Sequence, residues 1–355
     1  LLPITLSQLN FKTNPSAYMH LNQNAILSLS FEIFNQSHKH LIHEKLPIYL
    51  DAISNFALHV LDSIFHQSTG FSLKMGNQII EMNNPFEVIG FTEQESLLPI
   101  DQHSHHAYRL SLIAYRLLME YFCFAEKFNY LNLNLSFLKH LKQEQNEFEI
   151  LIHLNLNLND QACIQNYTEL NIANFKLFST PIVNLFHKQA EPQKINHKQL
   201  EYPLITDIHH PEFYQVYSII KMNMIREKSN HDQVVFPILP FFAMSHYQQA
   251  DVQFFYSLSS TQLPNKLLET GYSIISKHLL PHSTKSDFMS CQLLCSNRDL
   301  PYQALSQANN ILNLNENSLA RHALILKRPT LSYSFEQNKK EQWRIISHLS
   351  LNTLS

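Results

Sequence analysis

Glycine is nearly missing from this chain. It occurs 4 times in 355 residues, at Gly70, Gly76, Gly90 and Gly271, where an ordinary protein carries about 7%. No two lie close enough to build a phosphate-cradling loop or a Gly-x-Ser-x-Gly nucleophile elbow. Charge is scarce as well: 15% of residues are charged, against roughly 25% in an average domain. The 26 basic and 29 acidic residues leave a formal charge of −3, which offers no field to gather DNA, RNA or anionic lipid. At 45% apolar the chain is expected to fold rather than stay disordered. Long apolar runs are absent too. The densest stretch, Val234 to Met244, is short and broken by Pro237 and Pro240, so no segment is expected to insert in a membrane. The chain opens on Leu1 without a basic segment ahead of an apolar one, which reads as a fragment lacking a signal peptide. Cysteine is sparse, with Cys123, Cys163, Cys291 and Cys295 in no two-residue spacing. Buried free thiols in a reducing compartment are the favoured reading over disulfides.

Histidine is the exception, with 21 copies. Protonating them would turn a slightly acidic chain strongly basic as pH passes through about 6.5, so acid is expected to threaten assembly or solubility. His38, His40 and His43 form one cluster and His103, His105 and His106 another. Neither has a His-Glu-x-x-His or paired-Cys spacing that would make neutral imidazoles and thiolates converge on zinc. Solvated loop histidines are the favoured reading, and no metal or cofactor is expected. Cys291 and Cys295 share a face on a strand or a helix and are read as buried thiols. Ser136-x-x-Lys139 is read as a chance match. Phe241, Phe242, Phe254, Phe255 and Tyr256 could stack bases, but without basic neighbours they are read as core. No local signature supports a catalytic site, although a dispersed Ser-His-Asp arrangement leaves none in sequence.

Periodicity predicts a helix over 51–66, with Ile53, Phe56, Ala57, Val60, Leu61, Ile64 and Phe65 on one face and Asp51 as N-cap. A second is predicted over 104–122, with Leu110, Ile113, Ala114, Leu117, Leu118 and Tyr121 buried and Arg116–Glu120 paired on the other side. Strict Leu-Asn alternation at Leu131 to Leu135 and at Leu154 to Leu158 predicts two half-buried, neighbouring strands. Further strands are predicted at 26–34, 71–75, 78–82, 180–186, 213–220, 252–258, 271–277 and 343–351. The fold class is thus α+β and β-rich, with mostly antiparallel sheets, a few amphipathic helices and two or more domains. The polar segment Lys188 to Tyr202 is the expected boundary, giving domains over 1–190 and 191–355.

Five strings carry a family resemblance. Residues 180–191 read Thr-Pro-Ile-Val-Asn-Leu-Phe-His-Lys-Gln-Ala-Glu, followed by Pro192, His197, Glu201 and Tyr202. Residues 211–218 read Pro-Glu-Phe-Tyr-Gln-Val-Tyr-Ser, and 296–301 read Ser-Asn-Arg-Asp-Leu-Pro directly after Cys295. Residues 343–352 read Trp-Arg-Ile-Ile-Ser-His-Leu-Ser-Leu-Asn, and the run from Tyr115 ends in Tyr-Phe-Cys-Phe-Ala-Glu-Lys-Phe at 121–128. In that order, with the turn at Tyr49 to Asp51, they resemble the TssF family of baseplate proteins of the bacterial type VI secretion system, also called VasA or ImpG. Small departures are Ser296 in place of Thr, Ala52 in place of Gly and Lys221 in place of an acidic residue.

The resemblance implies a non-enzymatic structural role. Two TssF-like chains and one TssG-like chain would form the core of a baseplate wedge around a central spike hub, with TssE-like and TssK-like proteins attached. The wedge would support the contractile tail and dock, from the cytoplasm, on the inner-membrane complex. Family members are longer at both ends, so the chain resembles the middle of one. Asn297, Arg298 and Asp299, with Trp343 and Arg344, are the structural or interface candidates. An internal turn-fixing role is favoured for Arg298 over direct partner contact. Trp343 is favoured as core over interface anchor. A phage-tail baseplate protein of the same architecture, or a hydrolase with dispersed catalytic groups, are the alternatives.

Overall fold

The computed structural model describes residues 2–14, 23–34, 41–99, 106–140, 145–196, 198–227, 233–241, 253–262, 268–276, 287–307, 309–314, 320–332 and 339–350. The chain divides into two compact units, one of residues 1–100 and 112–182, the other of residues 101–111 and 183–355.

The first part of the chain carries β1 (Ile4–Thr13), β2 (Ala25–Ile33), β3 (Lys45–Leu50), α1 (Ser54–Phe65), β4 (Ser68–Met75), β5 (Gln78–Met82) and β6 (Phe86–Val88). It continues with α2 (His106–Cys123), β7 (Tyr130–Asn134), β8 (Glu147–Leu154), α3 (Gln161–Glu169) and β9 (Phe175–Leu177). A five-stranded sheet runs in the order β1-β2-β8-β4-β5 and a four-stranded sheet in the order β6-β7-β3-β9. All their pairings are antiparallel. One apolar core joins Leu27, Leu29 and Phe31 of β2, Ile150 and Ile152 of β8, Leu131 and Leu133 of β7, and Ala57, Val60 and Ile64 of α1.

The inward face of α1 is the one that the 3.6-residue period predicts, except that Ile53 is 84% exposed. Asp51 does not cap the helix. Ile53 occupies the N-cap position without a side-chain bond, because Asp51 lies upstream of the position from which a side-chain oxygen accepts the first helical N–H groups. In α2 the predicted orientation is overturned among the side chains described. Arg116 and Glu120 are buried, whereas Leu118, Met119, Tyr121 and Phe122 are exposed, Phe122 to 81%. The reason is hydrogen bonding. The Glu120 carboxylate accepts the N–H groups of Leu97 and Leu98, both at 2.9 Å, and the buried Lys127 ammonium. Burial drives this carboxyl upward, but those donors outweigh it and leave its pKa below the ordinary value.

Leu131 and Leu133 are buried, as alternation in β7 predicts. The second Leu-Asn run is not a strand. β8 ends at Leu154 and belongs to the other sheet, so the two runs are not neighbours. Beyond Leu154 the Asn24 side chain takes a ladder partner's place, accepting from Leu156 N at 2.8 Å and donating to Leu156 O at 2.6 Å.

The second part carries β10 (Phe186–Gln189), β11 (Gln193–Ile195), β12 (Tyr202–Pro203), β13 (Gln215–Glu227), β14 (Gln233–Pro240), β15 (Phe254–Gln262), β16 (Leu268–Ser276) and β17 (Asp287–Ser296). α4 (Leu300–Gln307), a hairpin of β18 (Ile311–Asn313) and β19 (His322–Leu324), and α5 (Lys339–Ser350) follow. The main sheet has the order β10-β17-β13-β14-β15-β16-β12, with β11 also on β17. Its pairings are antiparallel apart from β14 with β15. The fold is therefore β-rich α+β with mostly antiparallel sheets.

Three local expectations fail here. Residues 179–185 form no strand; pairing starts at Phe186. Segment 188–202, expected to link domains, instead places β10 and β11 along β17. Residues 343–350 are helical, not extended. The β-branched pair Ile345–Ile346 favours a strand, but Lys, Gln and Glu before it are good helix formers and carry the helix through.

Cys291 and Cys295 point into the core from β17, and burial pushes their thiols up to about 12 and about 11. Cys123 departs from the expectation and is exposed. Phe254, Phe255 and Tyr256 are buried while Phe241 is 47% exposed; Phe242 lies outside the described residues.

Candidate interface corner

Three of the sequence strings, 186–191, 211–218 and 296–301, meet at one corner of the main sheet. β10 lies along one edge of β17, with Phe186 opposite Cys295, and β13 starts along the other edge, with Gln215 opposite Ser296. β17 then turns into α4 through Asn297, Arg298 and Asp299.

Arg298 has φ +50°, a left-handed backbone that costs a non-glycine residue about 1–2 kcal/mol. From that position its Nε donates to the Tyr214 carbonyl at 2.7 Å and its Nη2 to the Leu268 carbonyl at 3.0 Å. One side chain thus ties the end of β17 to the residue before β13 and to the first residue of β16. Burial lowers the guanidinium pKa, with Asp299 opposing. Asn297 directs Nδ2 at the Phe213 carbonyl, 3.5 Å away, and its own carbonyl accepts Leu300 N–H at 3.0 Å. The Asp299 carbonyl accepts Gln303 N–H at 3.0 Å in the first turn of α4. Its carboxylate accepts Ser332 N–H at 2.7 Å, and hydrogen bonding from the Ser332 side chain, then from its backbone, holds the carboxyl below the usual carboxylate range.

The turn at 207–214 is pinned against the same corner. Lys188 of β10 pairs with Asp207 at 2.9 Å and lies 4.0 Å from the centre of the Tyr214 ring. Asp207 also accepts His209 and His210 N–H at 3.0 and 3.1 Å. Lys188 and then the His210 amide draw the Asp207 carboxyl down to about 2. Because this lies below the unfolded value of about 3.9, the contact favours the folded state at neutral pH, and its benefit fades as pH falls from about 4 toward 2.

At the far end of β17 and β13 sits a buried ion pair that sequence reasoning misses. Arg226 donates from Nε and Nη2 to the two Asp287 oxygens, both at 2.7 Å. The Asp287 side chain is fully buried, and the guanidinium lies 5.4 Å from the Phe236 ring centre and 6.0 Å from that of Phe254. The partners are 61 residues apart, so only the pairing of Arg226 opposite Asp287 in the sheet brings them together. No sequence signal marks that register.

Trp343 corrects the expectation of a core residue. It is 70% exposed on α5, beside exposed Arg344 and Ile345. The structure does not join Trp343 and Arg344 to the Asn297–Asp299 corner by any hydrogen bond or ion pair among the described residues. Of the histidine clusters, His38, His40, His103 and His105 lie outside the described residues, His106 opens α2, and His43 is exposed. Among the described residues no group of three or more His, Cys, Asp and Glu side chains converges as a metal site. Two arrangements among the described residues resemble a nucleophile with a base: His153 Nε2 lies 2.8 Å from Ser72 Oγ, both buried, and His59 Nε2 lies 3.0 Å from the Cys163 Sγ. Burial, then Asp160, pushes that thiol upward, which disfavours the thiolate a nucleophile needs. The polar groups at the β17–α4 corner are spent on backbone carbonyls and amides, an arrangement that fixes shape rather than one that moves protons.

Comparison with known proteins agrees in one direction. The sequence matches the family profile "Type VI secretion system, TssF" over residues 1–355. It is 23% identical over 284 residues to the type VI secretion system component TssF1 of Pseudomonas aeruginosa, covering 75% of this chain and 43% of that protein. The fold matches a chain in the cryo-electron microscopy structure of the TssK-TssF-TssG baseplate subcomplex, with a TM-score of 0.73 and 20% identity. That match covers 100% of this chain and 62% of the other. The chain thus spans less than half the length of the Pseudomonas relative. With the profile matched from end to end, the chain belongs to the type VI secretion system TssF family.

Proposed function

We propose that the chain serves as a structural component of the type VI secretion baseplate and acts through protein contacts rather than catalysis. The observation that carries this reading is the match to the TssF family over residues 1–355. The fold likeness to a chain of the TssK-TssF-TssG subcomplex supports it. The partners on this reading are TssG-like and TssK-like proteins, with a second TssF-like copy, a TssE-like protein and the spike hub completing the wedge. The place of work is the cytoplasmic side of the inner membrane, at the membrane complex of the apparatus. The absence, among the described residues, of a helix long and apolar enough to cross a membrane is compatible with this.

The side chains suit the role. Aromatic and amide groups dominate protein interfaces as anchors and hydrogen-bonding rims, and exposed Trp343 on α5 and Phe122 on α2 are large apolar groups of that kind. Asn297, Arg298 and Asp299 hold the corner that carries α4, and Trp343 with Arg344 offers a contact surface.

Deletion of the gene in the source bacterium tests the reading. Fluorescently tagged sheath should then fail to assemble into extended structures, and a plasmid copy should restore them. Normal sheath assembly in the deletion strain would contradict it.

A further inference from the structure

Within the first unit two buried cations share one buried carboxylate. Arg116, Glu120 and Lys127 are 5%, 3% and 2% exposed, so the group holds one positive charge in excess, out of water. Buried charge persists only where it is paired and hydrogen-bonded.

Glu120 has no acceptor capacity to spare. Its Oε1 accepts the N–H groups of Leu97 and Leu98, both at 2.9 Å, and lies 3.7 Å from Arg116 Nε, beyond hydrogen-bond reach. Its Oε2 takes the Lys127 ammonium. Arg116 Nη2 meets the Thr92 carbonyl at 3.4 Å, a long contact, and its Nε and Nη1 are buried without a hydrogen bond. The neighbouring carboxylate of Glu95 accepts Gly90 and Thr92 N–H at 2.9 and 3.1 Å. Among the described residues it makes no ion pair with Arg116. Where residues 90–98 cross α2, therefore, guanidinium, ammonium and amide donors outnumber the acceptors.

We infer that a monovalent anion of chloride size binds beside Nε and Nη1 of Arg116 and supplies the second negative charge of the group. Water would satisfy the two nitrogens but leave the charge unbalanced, and a divalent phosphate would overshoot it. A partner's carboxylate cannot reach atoms closed off from solvent, whereas a small ion is enclosed as the chain folds. The ion would tie segment 90–98 to α2 from the Arg116 side, as Glu120 does from the Leu97 and Leu98 side. The inference concerns the interior of one chain and goes beyond the baseplate reading without resting on it.

The test compares melting temperatures in sodium chloride and in sodium gluconate at equal ionic strength, since gluconate is too large to be enclosed. Chloride should raise the melting temperature by about 3–5 °C over gluconate, and the rise should level off as the site fills. Arg116→Met leaves Glu120 and Lys127 as a balanced pair and should abolish the difference between the salts. Crystals of the unaltered chain grown in bromide should show anomalous density within hydrogen-bond distance of Arg116 Nη1, a readout that serves even if the variant fails to fold. Equal melting temperatures in the two salts would overturn the inference. So would a salt difference that survives in Arg116→Met, or bromide found at exposed side chains alone, an adventitious ion only. Each of these results leaves the baseplate reading standing.

Discussion

Replacing Arg226 by methionine should lower stability by about 3–5 kcal/mol, the usual cost of removing one member of a buried pair. The fully buried Asp287 carboxylate would lose a guanidinium that contacts both of its oxygens at 2.7 Å. In thermal unfolding this corresponds to a fall on the order of 10 °C for a unit of this size. Arg226 itself keeps 26% of its side-chain exposure, so water reaching the site places the cost toward the lower end. The double change Arg226→Met with Asp287→Leu should recover most of the loss, because an apolar pair of similar volume needs no partner. A single and a double variant with equal melting temperatures would show that the cost lies in packing against Phe236 and Phe254 rather than in the stranded charge.

Arg298→Ala should cost about 2–3 kcal/mol. The change strips a charged donor from the carbonyls of Tyr214 and Leu268, and hydrogen bonds to charged groups contribute roughly 1.5–3 kcal/mol each. Its partial exposure keeps the total below the sum of two such bonds. The backbone gives this prediction an unusual ordering. Arg298 sits at φ +50°, so alanine retains the left-handed strain while glycine relieves it by about 1 kcal/mol. Arg298→Gly should therefore be more stable than Arg298→Ala, the reverse of the order inside a helix or strand. Urea unfolding of the three proteins reads both effects. Arg298→Ala as stable as the parent, or Arg298→Gly less stable than Arg298→Ala, would contradict the tie between β17, β13 and β16.

Both sites show where sequence reasoning stops. Local periodicity is enough to find α1 and β7, since each buries side chains at its own period and needs no distant partner to be recognised, while β5 is found by its β-branched composition rather than by alternation. It misjudges α2, where Glu120 is drawn inward by the amides of Leu97 and Leu98, more than twenty residues upstream. It extends a strand through Leu158 because leucine and asparagine alternate there, although a single side chain, Asn24, supplies the pairing. At the corner, Asn297, Arg298 and Asp299 stand out in sequence through family resemblance. What Arg298 binds depends on Tyr214 and Leu268, and Lys188, Asp207 and Tyr214 acquire meaning only when β10 and β13 flank β17. For Trp343 a core position is the natural expectation, because a lone tryptophan is usually buried. The polar residues around it give α5 a surface character instead, and the indole is exposed.

The most direct measurement is the mass of the complex purified after co-expressing the chain with the TssG-like and TssK-like proteins of its own locus. A single species containing two copies of this chain for each TssG-like chain, with TssK-like proteins bound, is the result expected of a baseplate component. Separate elution of the proteins, each folded and at its own mass, would contradict a role built on contacts with those partners.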